Sequence, residues 1–225
     1  PVFLPDATRA VVRTVDSVDL EDCGVEALMV NTLHVAGSPG LSVVRSVGGL
    51  GRFMGWSGPL ATDSGGFQVY SLLDAGMASV DEQGFSYKAG KRERTQRLTP
   101  ESCIRKQLQA GSDVLFALDH CTPPGADAAL LRRSVENTVR WAAECKRAFE
   151  TAGRGEDRPL LFAVIQGGED PALRRECAER LVEIGFDGYG YGGWPVAPDG
   201  SLADSVALVA GLVSKLAPEP GAPLH

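Results

Sequence analysis

Pro59-Leu60-Ala61-Thr62-Asp63-Ser64-Gly65-Gly66-Phe67-Gln68-Val69-Tyr70-Ser71 starts as a short apolar run and passes into an acid, a hydroxyl, two glycines and an aromatic ring. Pro59 to Thr62 predicts a short buried strand that stops at Asp63. Ser64, Gly65 and Gly66 are too small to fill a core, whereas paired glycines let backbone approach a ligand and leave N–H groups free to donate. Asp63 at the carboxyl end of a strand, with Phe67 shortly after it, offers a charge and a flat ring to a planar ligand. On this stretch alone a second reading stays open, in which Asp63 caps the following segment and Phe67 is core.

The same arrangement recurs downstream. Val114 to Leu118 is apolar and ends in Asp119-His120-Cys121-Thr122-Pro123-Pro124, and Leu160 to Ile165 ends in Gln166-Gly167-Gly168. Gly188-Tyr189-Gly190-Tyr191-Gly192-Gly193-Trp194-Pro195 reads as a glycine-rich strand and its exit loop. Further strands are expected at Pro1 to Pro5 and Val25 to Asn31, with Asn31, Thr32 and His34 in a polar loop after the latter. Helices are expected from Ser17 to Asp22, from Thr99-Pro100-Glu101 to Gln109, from Ala126 to Ala152, from Pro171 to Ile184 and from Ser201 to about Leu216. Pro39 to Phe53 reads as helix or turn broken by Gly48, Gly49 and Gly51.

Short apolar strands separated by helical patterns predict an α/β fold with a parallel sheet. The leading architecture is a (β/α)8 TIM barrel, incomplete here with about six of eight strands, and a doubly wound sheet is the runner-up. Within Ala78 to Leu98 the alternation of Gly84-Phe85-Ser86-Tyr87-Lys88 predicts an inserted antiparallel hairpin. In a barrel the loops at the carboxyl ends of the strands share one mouth, so Asp63, Asp119, Gln166 and Gly192-Gly193 would converge there. Residues 1–225 are expected to form the N-terminal and central part of a single catalytic barrel, with both ends cut.

With 225 residues and 44% apolar content the chain can bury a substantial core. A formal charge of -7 argues against binding a polyanion over the whole surface. Lys88, Lys91, Arg92, Arg94 and Arg97 form a local cationic stretch, read either as a solvated hairpin or as an edge that touches phosphates. Five cysteines, Cys23, Cys103, Cys121, Cys145 and Cys177, are odd in number and never closely spaced, which fits a reducing, cytoplasmic setting. The three histidines, His34, His120 and His225, make no metal motif with them, so no cofactor is expected in these residues. No apolar run approaches the roughly 20 residues of a membrane span, and no signal-like segment opens the chain.

Two carboxylates that accept hydrogen bonds, facing an amide and glycine N–H groups that donate, suit a heterocycle with N–H donors on one edge and a carbonyl on the other. Guanine has that pattern, and Phe67 would cover its face. The alternatives are a turn-capping role for Asp119 and a backbone-satisfying role for Gln166. His120 and Cys121 as a nucleophilic pair is disfavoured, because neighbours in sequence point apart. Tyr189, Tyr191 and Trp194 suit either base stacking or packing in a barrel wall.

Thr62-Asp63-Ser64-Gly65-Gly66-Phe67-Gln68-Val69, Leu118-Asp119-His120-Cys121-Thr122, Ile165-Gln166-Gly167-Gly168 and Gly188-Tyr189-Gly190-Tyr191-Gly192-Gly193 together resemble the tRNA-guanine transglycosylases, the queuine and archaeosine tRNA-ribosyltransferase family. Asn31-Thr32-Leu33-His34, Phe53-Met54-Gly55-Trp56, Leu98-Thr99-Pro100-Glu101 and Ser134-Val135-Glu136-Asn137-Thr138-Val139-Arg140-Trp141 add to it, in order along nearly the whole chain. The resemblance implies a (β/α)8 barrel that replaces guanine by a 7-deazaguanine of preQ1 or queuine type in tRNA, by double displacement at the ribose anomeric carbon. It implies Asp63 as proton acceptor and, with Ser64, Gly65, Gly66 and Phe67, as part of the base pocket. Asp119 would read the base's donor edge, and Gln166 and the Gly193 backbone its carbonyl side. The family's aspartate nucleophile and its zinc site of three cysteines and a histidine would lie beyond His225, so this stretch alone is expected to bind a base without completing the transfer. Two departures, His120 in place of a common glutamate and Trp194-Pro195 in place of small or aliphatic residues, are expected to border the pocket. A DNA-directed relative and a non-catalytic RNA-binding partner subunit are the alternatives, and a homodimer or heterodimer is open.

Overall fold

The structure, a computed structural model, describes residues 2–73, 75–88, 90, 94–153, 158–196, 199–217 and 222–225. A 3-10 turn at Thr8–Ala10 leads into α1 (Ser17–Asp22), β1 (Leu28–Val30), α2 (Thr32–Gly37), α3 (Leu41–Ser46), α4 (Leu50–Met54) and β2 (Leu60–Thr62). Then come α5 (Gly66–Leu73), β3 (Ala78–Asp81), β4 (Gly84–Tyr87), β5 (Gln96–Leu98), α6 (Pro100–Ala110) and β6 (Val114–Phe116). The chain continues through α7 (Ala128–Ala152), β7 (Leu160–Ile165), α8 (Pro171–Ile184), β8 (Gly188–Tyr191) and α9 (Asp204–Leu216).

The strands β1-β2-β6-β7-β8 form one sheet in that order, every neighbour parallel. Sequential order without a reversal is what right-handed crossovers produce when they place their helices on one side, and it bends a sheet into a barrel arc. The doubly wound alternative requires a switch point in strand order, which these five strands lack. On the concave side Ala61, Phe116 and Phe162 pack with Met29, Val114 and Val164. The helix-facing side joins the larger core, in which Leu115, Leu161, Ala163, Ile165 and Tyr189 meet Cys103, Ile104, Trp141, Cys177 and Leu181.

Three local expectations are corrected. Val2 to Pro5 is not a strand; Asp6 makes one parallel bridge to Met29, and Pro5 contributes only its carbonyl, to Met29 N–H at 3.0 Å. A proline has no N–H to continue such a ladder. The polar Thr32-Leu33-His34 stretch is helical in α2, because Thr32 and Val35 turn inward. The inserted hairpin carries a third strand, β5, and is a three-stranded antiparallel sheet of order β3-β4-β5. At the other edge of the parallel sheet Leu224 bridges Tyr189, with Tyr189 N–H donating to Pro223 O at 2.9 Å and Tyr191 N–H to His225 O at 2.7 Å.

The small sheet is fastened to α7 by Trp141, whose Nε1 donates to Glu82 O at 2.8 Å while its ring meets Phe85 edge-on at 5.2 Å. The helix α6 is held by a Thr99–Ser102 capping box, Pro100 in its first turn and Gly111 in the left-handed conformation at its end. Gln107, fully enclosed on α6, acts as a surrogate strand for β6. Its Oε1 accepts from Phe116 N–H at 2.9 Å and from Thr62 Oγ1 at 3.0 Å, and its Nε2 donates to Phe116 O at 2.8 Å. Gln107→Ala strands these groups in the core, so urea unfolding should show a loss of about 3 kcal/mol. A loss below about 1 kcal/mol would mean that the network is dispensable.

Candidate functional site

The β2 strand ends where the quoted motif begins. Asp63 N–H donates to Val30 O at 3.2 Å as the last rung to β1, and its side chain turns into the mouth of the arc. There Oδ1 accepts from Thr32 N–H at 2.8 Å, and Oδ2 accepts from Gln68 Nε2 at 2.9 Å. Thr32 Oγ1 donates to the Asp63 carbonyl at 2.6 Å, so the start of α2 grips the acid through both main chain and side chain. Burial pushes the Asp63 pKa up from the ordinary 3.8 to about 6, against the opposing pull of these hydrogen bonds. Gln68 Oε1 is enclosed and has no partner among the described residues.

Past the end of β6 the chain reads Ala117-Leu118-Asp119, and the acid is 8% exposed. Asp119 Oδ1 accepts from Ser64 Oγ at 3.2 Å, and Oδ2 accepts from Gln166 Nε2 at 2.7 Å. Burial raises its pKa, and the bonds from Gln166 and Ser64 partly offset that. Ser64 Oγ in turn accepts from Gly66 N–H at 3.1 Å, and a side chain at position 66 would press on Asp119 O, 3.0 Å from the Cβ. Glycine there is a condition of the close approach between the two loops.

Asp63 and Asp119 line one cavity of about 200 Å³, together with Ser64, Gly65, Phe67 and Gly193. That is below the roughly 300–1,000 Å³ of drug-sized pockets and suits a single flat base. Its floor is apolar, from Met29, Phe116 and Val164. Phe67 stands at the rim, 48% exposed, with its ring edge-on to Trp194 at 5.7 Å. Trp194 Nε1 donates to Thr122 O at 3.2 Å, and Tyr191 Oη donates to Trp194 O at 3.3 Å.

Gln166 is 1% exposed and packs beneath Gly192, where a Cβ would lie 2.5 Å from its Nε2. It lines an adjoining cavity of about 950 Å³, with Gly193, Trp194, Glu169 and Asp204, rather than the one that holds Asp63. Gly193 lines both.

His120 does not border the cavity, contrary to expectation. Its ring lies in the core, 6.0 Å from Phe85 and 5.8 Å from Trp141, with Nδ1 3.2 Å from Asn137 Nδ2. Its main chain is held on both sides, N–H by Thr138 Oγ1 at 3.0 Å and carbonyl by Ser134 Oγ at 2.5 Å. Burial lowers its pKa to about 4, and burial pushes the neighbouring Cys121 thiol up to about 12, so the two form no thiolate–imidazolium pair. Of the cationic stretch, Lys91 and Arg92 lie outside the described residues. Arg97 is spent on Asp81 at 2.6 Å and on Ser86 Oγ at 2.8 Å. Among the described residues no group of three or more His, Cys, Asp or Glu side chains is placed to hold a metal ion, and no helix is long and apolar enough to cross a membrane.

Sequence reasoning missed Gln68, which holds Asp63, and Met29, Phe116 and Val164 in the floor. Alternation along the strands signals the floor residues, since each is flanked by helix-facing neighbours. It also missed Arg174, a charged residue on a helix face otherwise made of Leu173, Cys177, Ala178 and Leu181.

A family model described as Queuine tRNA-ribosyltransferase matches residues 1–221. The chain is 41% identical over 202 residues to the queuine tRNA-ribosyltransferase of Thermotoga neapolitana, covering 90% of this chain and 53% of that protein. It is 41% identical over 216 residues to that of Koribacter versatilis, covering 92% and 56%, and 40% identical over 196 residues to that of Solidesulfovibrio magneticus, covering 87% and 51%. The chain therefore spans about half the length of the curated relatives it matches.

Because Asp63 is a better proton binder in the folded state than in the unfolded one, its ionisation costs stability above about pH 6, and that cost fades as pH falls toward 4. Asp63→Asn should therefore be more stable than the parent at pH 8, on the order of 2 kcal/mol, with the gap closing by pH 4. Thermal melts across that range check it, and a gap independent of pH would contradict the raised pKa.

Proposed function

The chain belongs to the queuine tRNA-ribosyltransferase family, and we propose that it forms the base-binding part of a transglycosylase that replaces guanine in tRNA by a 7-deazaguanine. The single observation that carries this reading is that Asp63 and Asp119 line one base-sized cavity. The names of the relatives favour tRNA over DNA as the polynucleotide.

In this reading Asp119 fixes the base by its donor edge. Each of its oxygens already accepts one bond, from Ser64 or Gln166, and a carboxylate has about four lone-pair sites, so two remain for the N–H groups of the base. The Gly193 N–H serves the carbonyl side, Gln166 holds Asp119 in place through its Nε2, and Phe67 covers the exposed ring face. Asp63, with a pKa of about 6, is mostly ionised at neutral pH and close enough to that pH to take up and return a proton as bases exchange.

Asp63→Asn in the full-length protein should lower exchange of labelled guanine into tRNA by on the order of 100- to 10,000-fold. In the parent, the rate should fall as pH drops through about 6, when Asp63 becomes protonated. Full exchange by the variant, or a profile flat from pH 5 to 8, would remove Asp63 from the role of proton acceptor.

A further inference from the structure

Arg174, on α8, is completely enclosed. Nη1 donates to Ile165 O at 2.5 Å, Nε donates to Gly168 O at 2.8 Å, and the guanidinium lies 4.3 Å from the centre of the Tyr191 ring. Ile165 immediately precedes Gln166, and Tyr191 immediately precedes Gly192-Gly193. One cation thus fastens two neighbouring strand-end loops. The remaining nitrogen, Nη2, has no hydrogen-bond partner among the described residues and lies 3.5 Å from where a Cβ on Gly193 would stand.

None of the ion pairs among the described residues involves Arg174. Glu169 is the carboxylate whose field reaches it, and Glu169 Oε1 is already bonded to Ser205 Oγ at 3.1 Å. A guanidinium stays charged even when burial disfavours it, and a buried charge without an ion pair is costly. Such a charge favours a negatively polarised group within reach of its field.

We propose that Arg174 is a positioning residue for the base exchange, fixing Gln166 and Gly193 and setting a positive charge behind the carbonyl edge of the bound base. The inference rests on the base-exchange reading. As an incoming nucleophilic carboxylate, required by the double-displacement reading, bonds to the ribose carbon, the bond from that carbon to the base nitrogen breaks with its electron pair staying on the base, and the charge behind Gly193 steadies that departing pair. Arg174 itself exchanges neither proton nor electron.

The test uses the full-length protein with Arg174→Ala and Arg174→Lys, measuring guanine KM, kcat, tRNA KM and melting temperature, with and without added guanidinium ion at sub-denaturing concentration. Arg174→Ala should lose on the order of 100-fold in kcat/KM for guanine with little change in tRNA KM, and guanidinium should restore at least part of that loss. Arg174→Lys should keep the charge but not the two carbonyl bonds, and should raise guanine KM. A folded Arg174→Ala that exchanges guanine like the parent would overturn the proposal, as would a loss of activity that guanidinium leaves untouched. If Arg174→Ala does not fold, a folded Arg174→Lys with parental guanine KM would overturn it equally. A parent protein that exchanges no guanine would instead overturn the base-exchange reading, and this role with it.

Discussion

The carboxylate of Asp119 joins three consecutive parallel strands at their carboxyl ends. It stands after β6, takes a hydrogen bond from Ser64 after β2 and another from Gln166 after β7. Parallel strands are paired along their length by main-chain bonds, but their exit loops have no such ladder and must be tied by side chains. A buried acid is stable in this role only because it is bonded on both oxygens. The width of the cavity follows from that tie, since the same bonds that satisfy Asp119 set the spacing of the loops around it.

Behind this first layer stands α7. Ser134 and Thr138 hold the main chain of His120 from both sides, and Trp141 clasps the small antiparallel sheet through Glu82. The Ser134-to-Trp141 motif is thus a brace: it places the residue next to Asp119 and the inserted sheet on one rigid helix. The His120 side chain belongs to that brace and not to the cavity wall.

Much of this was legible in the sequence because it depends on local chemistry. Leu160–Ile165 and Pro171–Ile184 announce themselves by an unbroken apolar run and by a proline after an Asp cap, and both ends agree with the structure. The convergence of Asp63 and Asp119 was legible through the rule that barrel loops share a mouth. What was hidden depends on long-range contacts. Arg174 looks like any surface arginine of an amphipathic helix until the carbonyls of Ile165 and Gly168 are seen to face it. Val2 to Pro5 has strand-like composition, but only the pairing with Met29 reveals that a donor is needed at the position where Pro5 has none. Gln166 was placed on the right loop, yet no local pattern tells which of two adjoining cavities a buried amide faces.

The unpartnered oxygen of Gln68 bears on how cheaply Asp63 changes its charge. A primary amide has nearly the same shape at both ends, with a donor on one and an acceptor on the other. While Asp63 is ionised the NH2 end faces it, at 2.9 Å. A half-turn of that group would offer its oxygen to a protonated acid instead, so one neighbour could bond either form of the acid. Such a swivel would let the acid gain or lose its proton at the mouth of the arc by a change in one side chain.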